Sequence, residues 1–102
     1  MAARKISKDN FEEIKASGKP ILLDFYADWC GPCRMVSPIV EQIAEERDDV
    51  IVGKINVDEE QELAAAFEIF SIPTLVVLKD GKEQSRSMGA KPKGQILAML
   101  EG

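Results

Sequence analysis

Cys30 and Cys33 are the only cysteines in this sequence of 102 residues, and they stand three apart in Trp29-Cys30-Gly31-Pro32-Cys33. Side chains at that spacing share one side of a helical turn, so the two sulfurs can meet and bond. The chemistry this allows is thiol–disulfide exchange. A thiolate attacks a substrate disulfide, a mixed disulfide forms, and a neighbouring thiol displaces it. Metal binding fits less well: the pair supplies two ligands where a structural zinc takes four, and the sequence holds no histidine. No metal is expected. A reducing compartment would not favour a purely structural disulfide either.

The elements around the pair decide which sulfur attacks. Ile21-Leu22-Leu23-Asp24-Phe25-Tyr26 is apolar on both alternating faces except at Asp24, the pattern of a strand covered on both sides. After the cysteines, Met35, Val36, Ile39, Val40, Ile43 and Ala44 recur at helical spacing, with Glu41, Gln42, Glu45 and Glu46 between them. A long amphipathic helix is expected there, kinked at Pro38. The pair therefore sits where a buried strand ends and a helix begins. Cys30 falls at the helix N-terminus, where unpaired N–H groups and the helix dipole favour an anion. That favours its thiolate, the attacking form, and leaves Cys33, one turn inside, as the less exposed resolving thiol. Gly31 lets the turn bend and a substrate backbone approach. Pro32 has no N–H to leave unpaired in the first turn, and its fixed φ suits helix entry. Trp29 offers a flat apolar wall beside the nucleophile.

The remaining segments complete a layered fold. Ser7-Lys8-Asp9-Asn10 offers capping side chains ahead of a short helix through Phe11 and Ile14, stopped near Gly18-Lys19-Pro20. Residues 50–57 read as a second buried strand, 60–67 as a short Ala-rich helix, and 75–78 as a third core strand. Lys79-Asp80-Gly81-Lys82 reads as a hairpin turn, because Asp-Gly supplies the positive φ angles of a type I′ turn, and 83–88 returns antiparallel. Pro92 opens a last helix carrying Ile96, Leu97, Met99 and Leu100 inward. A weaker strand signal lies at 2–6. This order predicts an α/β fold: a mixed sheet of four to five strands with helices on both faces, in a single domain spanning residues 1–102. A right-handed crossover through the long helix makes the first strand pair parallel.

Composition narrows the function classes. The net charge is −5 with scattered basic residues, so no basic stripe for nucleic acid is present. No apolar run approaches the length of a membrane span, and the first residues lack the apolar core of a signal peptide. For a complete chain the expectation is a cytoplasmic protein, and a monomer is expected. With no Gly-rich dinucleotide motif, no bound cofactor is expected.

The stretch from Asp24 to Cys33, Asp-Phe-Tyr-Ala-Asp-Trp-Cys-Gly-Pro-Cys, resembles the active-site signature of bacterial members of the thioredoxin family. Lys54-Ile55-Asn56-Val57-Asp58, Ile72-Pro73-Thr74, the Asp80-Gly81 turn and Gly89 fall at the family's intervals, so the resemblance runs from about Ser7 to the C-terminus. It implies the thioredoxin fold and a general protein-disulfide reductase recharged by a separate, flavin-dependent thioredoxin reductase. Ribonucleotide reductase, peroxiredoxin and methionine sulfoxide reductase are the target classes it implies. Gly-Pro between the cysteines resembles the reducing members, whereas oxidising relatives usually carry a histidine in that gap. A disulfide oxidant or isomerase is the second enzymatic reading. A non-catalytic binding subunit using the groove around Trp29 and Ile72 is the reading from another class.

Several positions carry expectations of their own. Asp24 is either buried, at a cost that raises its pKa, or exposed at a strand end. The resemblance implies the buried case, with the carboxyl taking and returning the proton of Cys33. Lys54 either packs its stem and carries its ammonium to water or, as the resemblance implies, lies near Asp24 and tunes its charge. Pro73 suits a plain strand start. In the family the bond before it is cis, the loop faces the cysteines, and the backbone of the preceding residue, here Ile72, pairs with an extended substrate segment. Gly89 is expected on the same substrate surface. Phe70 stands where bacterial members often carry arginine. It either packs inward or, if exposed, widens the apolar surface of the substrate groove.

Overall fold

Strands with apolar side chains on both faces must be covered on both faces, and this chain does so with helices on either side of one sheet. The computed structural model describes residues 2–102. In chain order they form β1 (Arg4–Lys5), α1 (Phe11–Lys15), β2 (Ile21–Tyr26), α2 (Gly31–Glu46), β3 (Ile51–Asn56), α3 (Gln61–Ala66), β4 (Thr74–Lys79), β5 (Lys82–Met88) and α4 (Lys93–Glu101). The sheet has five strands in the order β1-β3-β2-β4-β5. β2 pairs parallel with β3 across the α2 crossover and antiparallel with β4. β1 adds to β3 in parallel, and β5 adds to β4 antiparallel. The expected mixed sheet is therefore present, and the weak signal at 2–6 is a two-residue edge strand.

Alternation along the strands divides the core in two. Ile21, Leu23 and Phe25 meet Phe11, Ile14 and Leu63 on one face. Leu22, Val52, Leu75 and Val77 meet Val36, Val40 and Ile43 of α2 and Ile96 and Leu100 of α4 on the other. Two residues beyond Leu22, Asp24 falls on the α2 face, and two beyond Val52, so does Lys54. Gly53 points the opposite way, where Ile6 lies so close that an added Cβ would overlap its side chain. A glycine is needed there to let the segment after β1 pack onto β3. In the β4–β5 turn, Asp80 and Gly81 have φ of 55° and 76°, the positive pair that a type I′ turn requires.

Two local expectations change. Asn10 is the N-cap of α1 but makes no side-chain capping bond. Its Oδ1 accepts the Ser7 N–H at 2.9 Å and its Nδ2 donates to the Lys5 carbonyl at 3.0 Å, so it ties the exit of β1 to the helix instead. Met35 lies at helical spacing with the core residues of α2 yet is 68% exposed. The buried stripe of α2 is Cys33, Val36, Val40, Ile43 and Ala44, and Met35 falls to one side of it. Among the described residues no helix is long and apolar enough to cross a membrane.

Candidate active site

β2 delivers the chain to the site, and α2 starts from it. Cys30 is the N-cap of α2, with extended backbone, and Pro32 occupies the first turn. The Cys33 N–H donates to Cys30 Sγ at 3.2 Å. The two cysteines are joined in a disulfide, with their Cα atoms 5.3 Å apart. Once this bond is reduced, the first sulfur sits where helix N–H groups point and the dipole is positive, an arrangement that stabilises a thiolate. The expected difference in exposure is not seen in the bonded pair: Cys30 is 4% and Cys33 3% exposed. Both are packed into one small ring against Ala27, with Tyr26, Val57 and Ile72 around them. The asymmetry of the pair lies in the backbone, with one sulfur capping the helix and the other carried inside it.

On one side of the disulfide lies a groove of about 370 Å³ lined by Trp29, Val57, Ile69, Phe70, Ser71 and Ile72. Trp29 is largely exposed and Phe70 almost fully so, which settles the open question about Phe70: it does not pack inward. The Trp29 indole N–H donates to Asp58 Oδ2 at 2.9 Å, fixing the ring as one wall. The Ile72–Pro73 bond is cis. Among the described residues, no hydrogen bond takes up the backbone N–H or C=O of Ile72. Gly89, at φ 86°, donates its N–H to the Pro73 carbonyl at 2.8 Å, so it is tied to the same loop. Arg86 of β5 donates to the Phe67 carbonyl at 2.7 Å and braces the segment that leads to Phe70.

On the other side, a pocket of about 260 Å³ is lined by Tyr26, Ala27, Asp28, Cys33, Arg34, Ser37 and Lys54. Asp24 lies beneath this side of the sheet, buried, with no protein hydrogen-bond partner for either carboxylate oxygen. Burial pushes its pKa up to about 6; Lys54 pulls against the rise and Glu41 adds to it. Asp24 and Lys54 are register partners on β2 and β3. The Lys54 ammonium donates to Ser37 Oγ at 2.6 Å, lies 3.9 Å from Glu41 Oε2, and sits 4.9 Å from the Tyr26 ring centroid. The lysine thus packs its stem and also holds its charge on the Asp24 side, rather than running free to water. A further depression, lined by Asp9, Asp58, Glu59, Glu60 and Glu62 among others, contains no thiol.

A bonded Cys-Gly-Pro-Cys pair on a strand-to-helix junction, faced by a cis-proline loop, defines a redox site. The Thioredoxin family model matches residues 2–102. The chain belongs to the thioredoxin family. It is 51% identical over 88 residues to a thioredoxin of Chlamydia pneumoniae, covering 86% of this chain and 85% of that protein. It is 44% identical over 91 residues to a bifunctional thioredoxin reductase/thioredoxin of Mycobacterium leprae, covering 88% of this chain and 20% of that protein. A mutant thioredoxin from Halobacterium salinarum NRC-1 has a closely similar structure, with TM-score 0.92 and 36% identity, over 98% of this chain and 88% of that one. As a thioredoxin-family member with its two cysteines joined in a disulfide, the protein is a thiol–disulfide oxidoreductase that reduces protein disulfides.

The structure brings Cys30, Cys33, Trp29, Gly31, Pro32, Ile72, Pro73 and Phe70 to one end of the sheet, with Gly89 bonded to the Pro73 carbonyl and Asp24 and Lys54 under α2. Two neighbours escaped the sequence reading. Ser37 and Glu41 follow Cys33 at successive intervals of four, so they share its stripe along α2. That spacing was visible in the sequence. What it could not show is that the stripe meets Lys54 from β3.

Proposed function

We propose that Cys30 is the attacking thiolate, Cys33 the resolving thiol and Asp24 the group that takes the Cys33 proton. The observation that carries this reading is the position of Cys30 Sγ at the head of α2, bonded to a cysteine one turn further in. In the reduced protein the Cys30 thiolate attacks one sulfur of a target disulfide, and the other target sulfur leaves as a thiolate. Cys33 then gives its proton to Asp24, whose carboxylate has no protein partner to compete for it, and attacks Cys30 Sγ. The second target sulfur leaves and takes up a proton. Two electrons have passed to the target, and the protein disulfide remains. The unpaired backbone of Ile72, at the Pro73 turn to which Gly89 is bonded, suits an extended target segment docking by strand addition, with Gly89 on the same surface. Trp29 and Phe70 would flank that segment, Gly31 and Pro32 would shape the turn beside it, and Lys54 would tune Asp24.

Recharging would fall to a thioredoxin reductase. The Mycobacterium leprae relative, whose name joins both activities in one chain, supports that pairing. Ribonucleotide reductase, peroxiredoxin and methionine sulfoxide reductase are the target classes we propose, reached in the cytoplasm by a one-domain monomer. The test is NADPH-driven reduction of insulin with a thioredoxin reductase, together with the reduction potential of the pair. The reading predicts NADPH consumption that depends on this chain and a reducing potential. No turnover and a strongly oxidising potential would replace it with the oxidant reading.

A further inference from the structure

We propose that Ser37 is a positioning residue: its hydroxyl tethers the Lys54 ammonium beside Cys33 and so sets how strongly that charge acts on Asp24. The proposal rests on the reading above only where it extends to the resolution step. A lysine ammonium is a compact charge on a flexible stem, and its effect depends on where it is held. The α2 stripe of Cys33, Ser37 and Glu41 offers it two acceptors. Ser37 Oγ is at 2.6 Å and Glu41 Oε2 at 3.9 Å. Four residues of helix separate them, about 6 Å along the axis, with Ser37 on the side of Cys33. The ammonium occupies the Ser37 position, in the wall of the pocket that Cys33 also lines. Glu41 is otherwise engaged, since its Oε1 accepts the Ala3 N–H at 3.2 Å.

The groups that share this space come from every neighbouring element: Asp24 and Tyr26 from β2, Lys54 from β3, Cys33, Arg34 and Glu41 from α2, and Asp28 from the loop between β2 and α2. Of the cations, Lys54 is the one whose charge counters the burial of Asp24. Without the Ser37 hydroxyl, the nearest carboxylate to the ammonium is Glu41, at 3.9 Å, whereas Asp24 accepts no hydrogen bond from it. Glu41, further along α2, draws it away from the Cys33 end. Coulomb attraction weakens with distance, so ionised Asp24 loses support.

The experiment follows the Asp24 carboxyl by carbon-13 NMR titration in the reduced protein, alongside the pH profile of mixed-disulfide resolution. Ser37→Ala is expected to move the Asp24 midpoint upward by about 0.5 pH unit. Ser37→Thr, which restores the hydroxyl, is expected to bring it back. In a Lys54→Gln background, Ser37→Ala should produce no further shift, because the tether has nothing to hold. An unchanged midpoint in Ser37→Ala, or the same shift in both backgrounds, would overturn the tether. If the midpoint moves as expected while the resolution profile does not, the tether stands and the proton role of Asp24 falls.

Discussion

Replacing Asp24 with asparagine should make the oxidised protein more stable at neutral pH, although it removes a residue from the site. The carboxyl is 1% exposed and has no protein hydrogen-bond partner, and burial raises its pKa from 3.8 to about 6. At about 1.4 kcal/mol per pH unit, keeping it charged costs the fold about 3 kcal/mol. Between those two values the folded state binds more protons than the unfolded chain, so wild-type stability falls as pH rises through the window. Below pH 3.8 the carboxyl is neutral in both states and the penalty is absent. Asparagine keeps the shape and polarity of the neutral acid and removes only the charge. Urea denaturation of both oxidised proteins from pH 4 to 8 measures the difference. With a slope of about 1–3 kcal/mol per molar urea, the variant midpoint should lie roughly 1–3 M higher at pH 7.5, and the gap should close towards pH 4. A gap that does not vary with pH, or a variant less stable at pH 7.5, would refute the assignment of a buried, charged and only partly compensated Asp24.

The same substitution should slow resolution of a mixed disulfide on the order of 10²-fold, by removing a proton acceptor, while attack by Cys30 stays nearly intact; rapid-mixing kinetics separate the two steps, and equal losses in both would exclude the role. Phe70→Arg should raise KM roughly fivefold for targets with an apolar side chain next to the disulfide, the equivalent of about 1 kcal/mol of lost apolar contact, and an unchanged KM would remove Phe70 from the docking surface. Gly53→Ala should cost about 1–3 kcal/mol of stability by driving a methyl into Ile6, with part of the loss recovered in an Ile6→Ala background as read by thermal melting.

Much of the site was legible because its chemistry is local in sequence. The strand at Ile21–Tyr26 has the predicted bounds, since its apolar run is interrupted only by Asp24 and broken at both ends. The strand-to-helix junction, with Pro32 in the first turn, follows from the same stretch. The hairpin at Asp80-Gly81 was legible because a positive φ pair demands those residues. Other features depend on which elements meet. Nothing in Ser37 or Glu41 alone announces Lys54, because the contact is made only when the crossover lays α2 over β3. The Ile6–Gly53 contact needs the register of a two-residue strand too short to show a period. Phe70 was ambiguous for a similar reason: an aromatic residue in a loop carries no periodicity to say which way it faces, and its exposure depends on how the segment after α3 lies against β5, where Arg86 braces it. The cis bond at Pro73 came from family resemblance alone, for a proline before a strand fits either isomer.

The division of labour between the two sulfurs is tested most directly by trapping. Reduced Cys33→Ser protein, mixed with a disulfide target, should accumulate a covalent protein–target adduct through Cys30, seen by non-reducing electrophoresis and intact mass, and released by added dithiol. Cys30→Ser should form little or none under the same conditions. Adducts of equal yield in the two variants, or a trapped bond on Cys33, would contradict attack by Cys30 from the head of α2.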